Sequence, residues 1–259
     1  MTTATRCRSR FWAIGLLAIG LTTPASAEPL RLLSYNIHHG EGNDGKLDLE
    51  RIADLIKAQK PDVVFLQEVD KKCKRTGQVD QPAELARLTG MTPVFAKFMD
   101  FQGGEYGQCL LTRLEILDSR TVVLPKGVEP RSSAVATLKT PNGPVVVADV
   151  HFYATEKERL AQADALTRDL SESSAPVILC GDFNSEPGDP VMKRLAQSYA
   201  IPRKMGDDTR TFPSTGPEIE IDFVLFRPAT AFKATEYRVL NEPVASDHQP
   251  VLCILEFEP

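Results

Sequence analysis

The sequence predicts an α/β protein in which two β-sheets pack against each other with helices on the outside. Three observations predict it. Apolar, β-branched segments of strand length outnumber helical segments, the helical segments occur singly between them, and no linker, repeat or low-complexity tract interrupts the pattern. The length of 259 residues suits one large domain with an ample core once an N-terminal targeting segment is set aside.

The first 27 residues have the pattern of a secretory signal peptide. Three arginines lie among the first ten residues, Phe11 to Leu21 is an apolar run too short to span a bilayer, and Pro24 to Ala27 supplies a small-residue cleavage site. An uncleaved anchor is the alternative, which the brevity of the apolar run disfavours. We therefore expect cleavage after Ala27 and export to the periplasm or the extracellular space. Residues 28–259 then form one domain without a transmembrane segment.

Strands and helices alternate in the first third of this domain. Leu30–Ile37 and Asp62–Leu66 are short apolar runs that predict two buried strands. Between them, apolar residues recur at helical spacing behind Asp48, a suitable N-cap, and Pro61 ends that helix. A second helix is predicted to begin at Asp80 with Pro82 in its first turn and to end at Gly90.

The rest of the chain is rich in strands. One helix is predicted from Glu156 to Leu170, where leucine and alanine form an apolar stripe. The predicted strands are Tyr106–Thr112, Ile116–Leu124, Ser133–Leu138, Val145–Val150, Pro176–Cys180, Ile219–Phe226, Phe232–Val239 and Val251–Phe257.

The charge balance disfavours long polyanions as partners. Cleavage removes three arginines from the 30 basic residues and none of the 35 acidic ones, so the formal charge of the mature chain is −8. Such a chain lacks the broad positive field that gathers nucleic acid, although a metal site would be locally positive. The single basic run, Lys71–Arg75, is a solvated loop by default, and contact with an anionic head group or a nucleic acid backbone is the alternative.

Four cysteines remain after cleavage. Cys180 and Cys253 lie inside apolar strand-like runs, which predicts buried thiols. An oxidising compartment permits a bridge between Cys73 and Cys109, but the sequence does not establish it.

Two motifs point to the chemistry. Gly181–Pro187 reads GDFNSEP directly after a buried strand, and Ser246–His248 reads SDH near the C-terminus. Carboxylate oxygens of this kind hold Mg²⁺, an amide orients a nucleophile and an imidazole moves protons, which is the set needed for metal-assisted attack on phosphorus. The alternative, that Asp182 and Asn184 only make turn hydrogen bonds, does not account for the motifs elsewhere.

Similar polar residues follow most of the other strands, where ligand sites of layered α/β proteins lie. The seven predicted strand ends carry Ser34–Gly40, Leu66–Asp70, Gly103–Gly107, Val150–Phe152, Asp182 with Asn184, Ile221–Phe223 and Ser246–His248. Seven such ends are more than capping requires.

With these motifs in this order, the mature chain resembles the endonuclease/exonuclease/phosphatase superfamily over essentially its whole length. Its branches include deoxyribonucleases, apurinic endonucleases, sphingomyelinases and inositol polyphosphate phosphatases. The resemblance implies that residues 28–259 are one catalytic domain. It also implies a four-layer αββα sandwich of two mainly antiparallel, mixed sheets with a divalent metal, Mg²⁺ or Mn²⁺, in the cleft.

The resemblance assigns roles residue by residue. The expected metal positions are Asn36, Glu68 and Asp247, and the residues expected to orient or deprotonate water are Asp182 and Asn184. His248 is expected to contact the phosphate with Asp222 as its carboxylate partner, and His151 is a second catalytic histidine. Arg131 resembles a phosphate-contacting arginine and Tyr106 a tyrosine that lines the cleft.

Two further residue types are weighed against this set. His38 and His39 suggest a metal pair, but adjacent residues of a strand point to opposite faces, so a structural role is favoured for both, with one ring facing the cleft as the alternative. Gln108 stands where the deoxyribonuclease branch carries an acid, which weakens that kinship.

The sequence therefore predicts a monomeric, exported, metal-dependent phosphoric ester hydrolase that acts on a small or lipid-linked phosphate ester through metal-activated water. An exported Mg²⁺-dependent nuclease is the alternative. A binding module that has lost its chemistry is less favoured, because the metal acids and the terminal histidine are all present.

Overall fold

A computed structural model describes residues 1–2 and 28–258 of the chain, and eleven strands of this part form two sheets. The expected signal peptide lies almost entirely outside the described residues. None of the described helices is both long and apolar enough to cross a membrane.

The first sheet has six strands in the order β10-β11-β1-β2-β4-β3. β1 runs parallel to β2 and antiparallel to β11, and the remaining pairs are antiparallel. The strands are β1 (Leu30–Asn36), β2 (Val63–Lys71), β3 (Thr92–Phe101), β4 (Gly104–Thr112), β10 (Phe232–Val239) and β11 (Val251–Phe257).

The second sheet has five strands in the order β5-β6-β7-β8-β9. β7 and β8 are parallel and the other pairs are antiparallel. The strands are β5 (Glu115–Val123), β6 (Ser132–Thr140), β7 (Gly143–His151), β8 (Val177–Asp182) and β9 (Asp222–Arg227). Each sheet is therefore mixed and mainly antiparallel, as the family resemblance implied.

Three of the four described α-helices begin and end where the sequence predicted. The helices are α1 (Leu49–Gln59), α2 (Gln81–Thr89), α3 (Glu156–Leu170) and α4 (Pro190–Leu195). The Asp48 and Asp80 side chains cap α1 and α2, and Thr155 forms a capping box with Glu158 at α3. Gly90 ends α2 with a φ of 70°, a left-handed conformation that glycine adopts without a steric penalty.

Three apolar clusters define four layers. One lies between the sheets, with side chains such as Phe65 and Val147 from their facing sides. The second packs the five-stranded sheet against α3 and α4, and the third packs the six-stranded sheet against α1 and α2. The predicted αββα sandwich is confirmed, because each sheet buries one face on the other sheet and one face on helices.

Three elements differ most from the sequence prediction, and the strand predicted over Ile219–Phe226 begins only at Asp222. β3 was missed because it is a half-exposed edge strand that contains Pro93, and α4 because it is only six residues long. β2 was predicted to end at Leu66 but continues to Lys71 through a register shift between Leu66 and Val69. The extra residue is at Glu68, whose φ of 59° lies in the left-handed region. The bulge therefore re-aims a residue of the predicted site.

Candidate active site

The expected site residues meet in one cleft at the carboxyl ends of the parallel strand pairs β1–β2 and β7–β8. The cleft has a volume of about 340 Å³ and is lined by Glu68, Tyr106, Arg131, His151, Asp182, Asn184, Asp247 and His248, together with Arg75, Met99, Phe101, Glu129, Tyr153 and Phe212. Asn36 and Asp222 are buried directly behind this lining, in hydrogen-bond contact with His248 or Asp182. All ten residues predicted from the sequence are thus brought together. A larger depression of about 610 Å³ borders α1 and residues 240–242, outside this set.

Asp182, the last residue of β8, lies at the centre of the cleft. Its Oδ2 is 3.6 Å from His151 Nε2, 3.7 Å from His248 Nε2 and 3.3 Å from the Asn36 amide nitrogen. Its Oδ1 accepts the backbone N–H of Asn184 at 2.8 Å. Burial, with the nearby charge of Asp222, raises the pKa of Asp182 to about 7. A carboxylate with such a pKa can accept and release a proton near neutral pH.

Gly181 explains how β8 brings Asp182 so close to β7. Its φ of 144° and the 2.0 Å separation between an added Cβ and the Val150 carbonyl oxygen exclude any side chain there. The GDFN motif therefore needs its glycine for the close approach of the two parallel strands. The approach sets His151 opposite Asp182 in register.

His248 is held from both sides. Its Nδ1 donates to Asp222 Oδ2 at 3.0 Å, and its ring packs on Phe212 with centroids 4.8 Å apart. Burial opposes the charge on this ring, but the carboxylate of Asp222, followed by those of Asp182 and Asp247, outweighs burial and raises the pKa of His248 to about 10. His248 is therefore a cation at neutral pH.

The SDH loop is fastened to β1 by Ser246. The Ser246 hydroxyl donates to the Asn36 carbonyl oxygen at 2.7 Å and accepts the backbone N–H of His248 at 3.3 Å. The serine thus sets the distance between two motifs that are more than 200 residues apart in the chain.

Asn36 and Glu68 supply oxygen and amide groups on the opposite wall. The Asn36 amide nitrogen donates to Glu68 Oε1 at 3.2 Å and to Asp182, while its oxygen accepts the backbone N–H of His38 at 3.1 Å. Four carboxylates but only two guanidinium groups line the cleft. This excess of hard oxygen donors fits a divalent cation such as Mg²⁺ or Mn²⁺.

Asn184 is turned into the cleft by a left-handed backbone, with a φ of 47°. Its amide nitrogen donates to the Phe152 carbonyl oxygen at 2.9 Å. The bond fixes the amide beside Asp182, in keeping with the role in orienting a nucleophile that the sequence predicted.

Two arginines stand on aromatic rings at the rim of the cleft. The Arg131 guanidinium lies 4.7 Å from the ring centroid of Phe98 and 4.6 Å from that of Tyr153. The Arg75 guanidinium lies 4.7 Å from the ring of Phe101 and 5.2 Å from that of Tyr106. These cation–π contacts hold both cations against the wall.

Arg75 was assigned to a solvated loop by default, and that expectation is wrong. Its Nε and one terminal nitrogen form 2.7 and 2.8 Å hydrogen bonds with the fully buried carboxylate of Asp70. A buried acid needs a paired cation, so the loop folds back onto the cleft. The signal available in the sequence was Asp70 itself, an acid at the end of an apolar strand.

Gln108 and Glu105, on either side of Tyr106, have structural partners. The Gln108 amide is buried and donates to the backbone carbonyl oxygens of Ser132 and Asp149, which ties the two sheets together. Glu105 forms ion pairs with Lys71 and Lys97.

The four cysteines between residues 28 and 258 are buried free thiols. The bridge between Cys73 and Cys109, which the sequence left open, is therefore not formed in this part of the chain. The prediction of buried thiols at Cys180 and Cys253 is confirmed.

Comparison with known proteins shows the family to which the chain belongs. Residues 33–248 match the model of the Endonuclease/Exonuclease/phosphatase family. The uncharacterised Escherichia coli protein YbhP is 24% identical over 238 residues, which cover 85% of this chain and 94% of YbhP.

Solved structures of similar proteins have the same fold. An endonuclease/exonuclease/phosphatase from Beutenbergia cavernae superposes with a TM-score of 0.71 at 25% identity, over 89% of this chain and 72% of that one. A mannosyl-6-phosphatase from Bacteroides thetaiotaomicron superposes with a TM-score of 0.72 at 18% identity, over 88% of this chain and 100% of that one. At 18% identity the likeness concerns the fold.

Proposed function

The chain belongs to the endonuclease/exonuclease/phosphatase family, whose members hydrolyse phosphoester bonds, and on that premise we propose that it is a divalent-metal-dependent hydrolase of a small or lipid-linked phosphate ester. The observation that carries the proposal is the position of Asp182 between two histidines in a cleft with surplus carboxylates. This set can accept a proton from water and place positive charge beside a phosphate.

Glu68, Asn36 and Asp247 would hold the metal ion. A bound Mg²⁺ or Mn²⁺ lowers the pKa of a coordinated water and polarises the phosphoryl oxygen. A metal ion would add positive charge to a cleft in which four carboxylates stand against two guanidinium groups and the charged ring of His248.

Each side chain has a distinct task in the proposed reaction. Asn184 orients the attacking water, and Asp182 accepts its proton as the water oxygen bonds to phosphorus. The bond from phosphorus to the leaving-group oxygen breaks, and that oxygen takes up a proton in return. His248, charged through its pairing with Asp222, stabilises the phosphoryl oxygens as negative charge grows on them. His151 is a neutral contact or proton carrier, and Arg131 binds a further phosphate oxygen.

The size and charge of the molecule favour a substrate with one reacting phosphate and a compact leaving group. A cleft of about 340 Å³ with an aromatic rim matches a small ester or a lipid head group. The mature chain, with a formal charge of −8 if residues 1–27 are removed, would neutralise few phosphates of a long polyanion.

A substrate panel tests the proposal. A bis-aryl phosphodiester, an aryl phosphomonoester, a phospholipid and duplex DNA are incubated with the protein and Mg²⁺, Mn²⁺ or excess chelator. We expect hydrolysis of small or lipid esters with metal, none with chelator, and little cleavage of duplex DNA. His248→Ala protein purified in parallel controls for contaminating phosphatases.

Two results would contradict the proposal. Full activity in excess chelator would exclude the metal mechanism. Efficient duplex cleavage at moderate salt, with negligible turnover of small and lipid esters, would identify a nuclease instead.

We also propose export, from the signal-peptide pattern of residues 1–27. The mass of the protein recovered from the periplasm or the medium should correspond to a chain that begins at Glu28. Recovery of the full-length mass there would contradict cleavage after Ala27.

A further inference from the structure

His38 and His39 do not have the arrangement expected of adjacent strand residues. The chain leaves β1 at Asn36 and enters a short 3-10 turn in which both histidines have a φ of 45°. The two rings consequently lie on the same side, with centroids 4.4 Å apart. The two rings were expected on opposite faces because adjacent residues of a continuous strand point that way, but the strand ends before them.

Both rings lie close to Glu68. One ligand atom from each of His38, His39 and Glu68 lies within 4.8 Å of the other two. Two imidazoles and a carboxylate at such separations can converge on a single ion, because ligand atoms about 2.0–2.2 Å from a metal lie several ångströms from one another.

Each ring already uses one nitrogen on the same neighbour, Glu41. The Nδ1 of His38 is 3.2 Å from the Glu41 carbonyl oxygen, and the Nε2 of His39 is 3.4 Å from the Glu41 carboxylate. Histidines that bind metals characteristically donate their second N–H to a carbonyl or a carboxylate, which fixes the tautomer and the ring orientation. Glu41 supplies both kinds of acceptor.

The remaining nitrogens are then free to accept. His39 Nδ1 is buried without a hydrogen-bond partner among the described residues, and its side chain is only 9% exposed. Burying a polar atom without a partner is unfavourable, so this nitrogen calls for a partner beyond the described residues.

We propose that His38, His39 and Glu68 form a site for a divalent transition-metal ion such as Zn²⁺ or Co²⁺. Imidazole donors select these ions over Mg²⁺, which prefers oxygen alone. The site differs in its donors from the oxygen set of Asn36 and Asp247 and meets it at Glu68. Its occupancy would therefore fix the Glu68 carboxylate at the edge of the catalytic cleft.

The test is binding of Co²⁺ to the purified chain, followed by proton NMR. A Co²⁺-bound histidine shows its remaining exchangeable N–H far outside the normal spectral range. The chain has four histidines, at positions 38, 39, 151 and 248, so few signals need assignment. We expect two shifted imidazole N–H signals in the wild type.

Variants separate this site from the oxygen set. His38→Ala should abolish the paired signals, and Glu41→Gln should weaken Co²⁺ binding by about 10- to 100-fold, the usual effect of losing an outer partner. Asp247→Asn removes a member of the oxygen set and should keep both signals. His151→Gln, a matched loss of a histidine elsewhere, should also keep them.

The opposite pattern would overturn the proposal. If the wild type shows no shifted imidazole signal, or if the signals survive His38→Ala, the ion is not held by these rings, and a buried water is the partner of His39. The Glu41 side chain is 44% exposed, so Glu41→Gln remains informative if a histidine variant fails to fold. Because the readout is binding, it does not depend on phosphoesterase activity, and either proposal can fail without the other.

Discussion

Two buried histidines flank Asp182 at nearly the same distance but have opposite electrostatic environments. His151 Nε2 lies 3.6 Å and His248 Nε2 lies 3.7 Å from the same carboxylate oxygen, and both rings are almost fully buried. Burial alone lowers the pKa of a histidine, and at His151 it does so, helped by the positive charges of Arg131 and His248. At His248 the pairing with Asp222 reverses the direction.

The comparison teaches that the partner of the second nitrogen decides the charge of each ring. His248 Nδ1 has the Asp222 carboxylate, whereas His151 Nδ1 is buried without a partner among residues 28–258. One side of Asp182 is therefore cationic and the other neutral. That asymmetry suits a site that must both stabilise an anion and move a proton.

The largest loss of turnover is expected when the positively charged ring of His248 is removed. His248→Ala should lower turnover by about 10²–10⁴-fold or more, because acid–base and charge-stabilising groups contribute on that order. Steady-state kinetics on the best substrate of the panel measures it, with thermal unfolding as the folding control. Wild-type turnover by a folded His248→Ala protein would refute the role given to this ring.

Glu68→Gln should weaken metal binding and so lower turnover without favouring either histidine, because the metal acts on the whole cleft. Loss of a residue that only hydrogen-bonds to a metal ligand usually weakens metal binding by about 10- to 100-fold. Because Glu68→Gln removes a ligand itself, the metal concentration for half-maximal activity should rise by more than that. A metal titration of activity measures the shift. An unchanged titration would show that Glu68 is not a ligand.

Removing the neutral ring should have a smaller effect than removing the cationic one. His151→Gln retains a hydrogen-bonding group of similar size, and we expect a loss of turnover near 10²-fold, the low end of the acid–base range. Kinetics of both histidine variants under one set of conditions compares them. A loss at His151 larger than that at His248 would reverse the assignment.

Asp222→Asn should make the two histidines more alike. The Asn side chain keeps the hydrogen bond but removes the charge that raises the pKa of His248, so that pKa should fall. Since a hydrogen bond to a charged group contributes about 1.5–3 kcal/mol, turnover at neutral pH should fall by about 10- to 10²-fold. NMR titration of the His248 ring tests the cause directly; an unshifted pKa would contradict it.

The smallest change is expected at Arg131. Arg131→Met retains the packing on Phe98 but removes a positive charge that, after burial, lowers the pKa of His151. The pKa of His151 should rise, and KM should increase by about tenfold, because a hydrogen bond to a charged group contributes about 1.5 kcal/mol at the low end of its range. Arg87→Met, on the exposed face of α2, is the matched control and should leave both unchanged.

The sequence was most informative where a local rule applies. Helix α3 was predicted with the correct bounds because an apolar stripe at helical spacing acts within one element, and the capping box at its start was seen only in the structure. The strands β10 and β11 were also placed correctly. The edge strand β3 and the bulge at Glu68 were missed, because both depend on pairing with the neighbouring strand β4.

The features of the site also fall into those that the sequence determined and those that only the tertiary structure decided. The sequence by itself, through its strand-end motifs and the family resemblance that they carry, determined which residues gather. Eight of the ten predicted residues line the cleft, and Asn36 and Asp222 lie directly behind it. Three features required the tertiary structure: the folding of Arg75 onto buried Asp70, the shared side of His38 and His39, and the opposite pKa shifts of His151 and His248. Each depends on contacts between segments or on a backbone conformation that residue type does not specify. Charge, burial and ring direction are properties of the surroundings of a residue, and those surroundings exist only after the two sheets have packed.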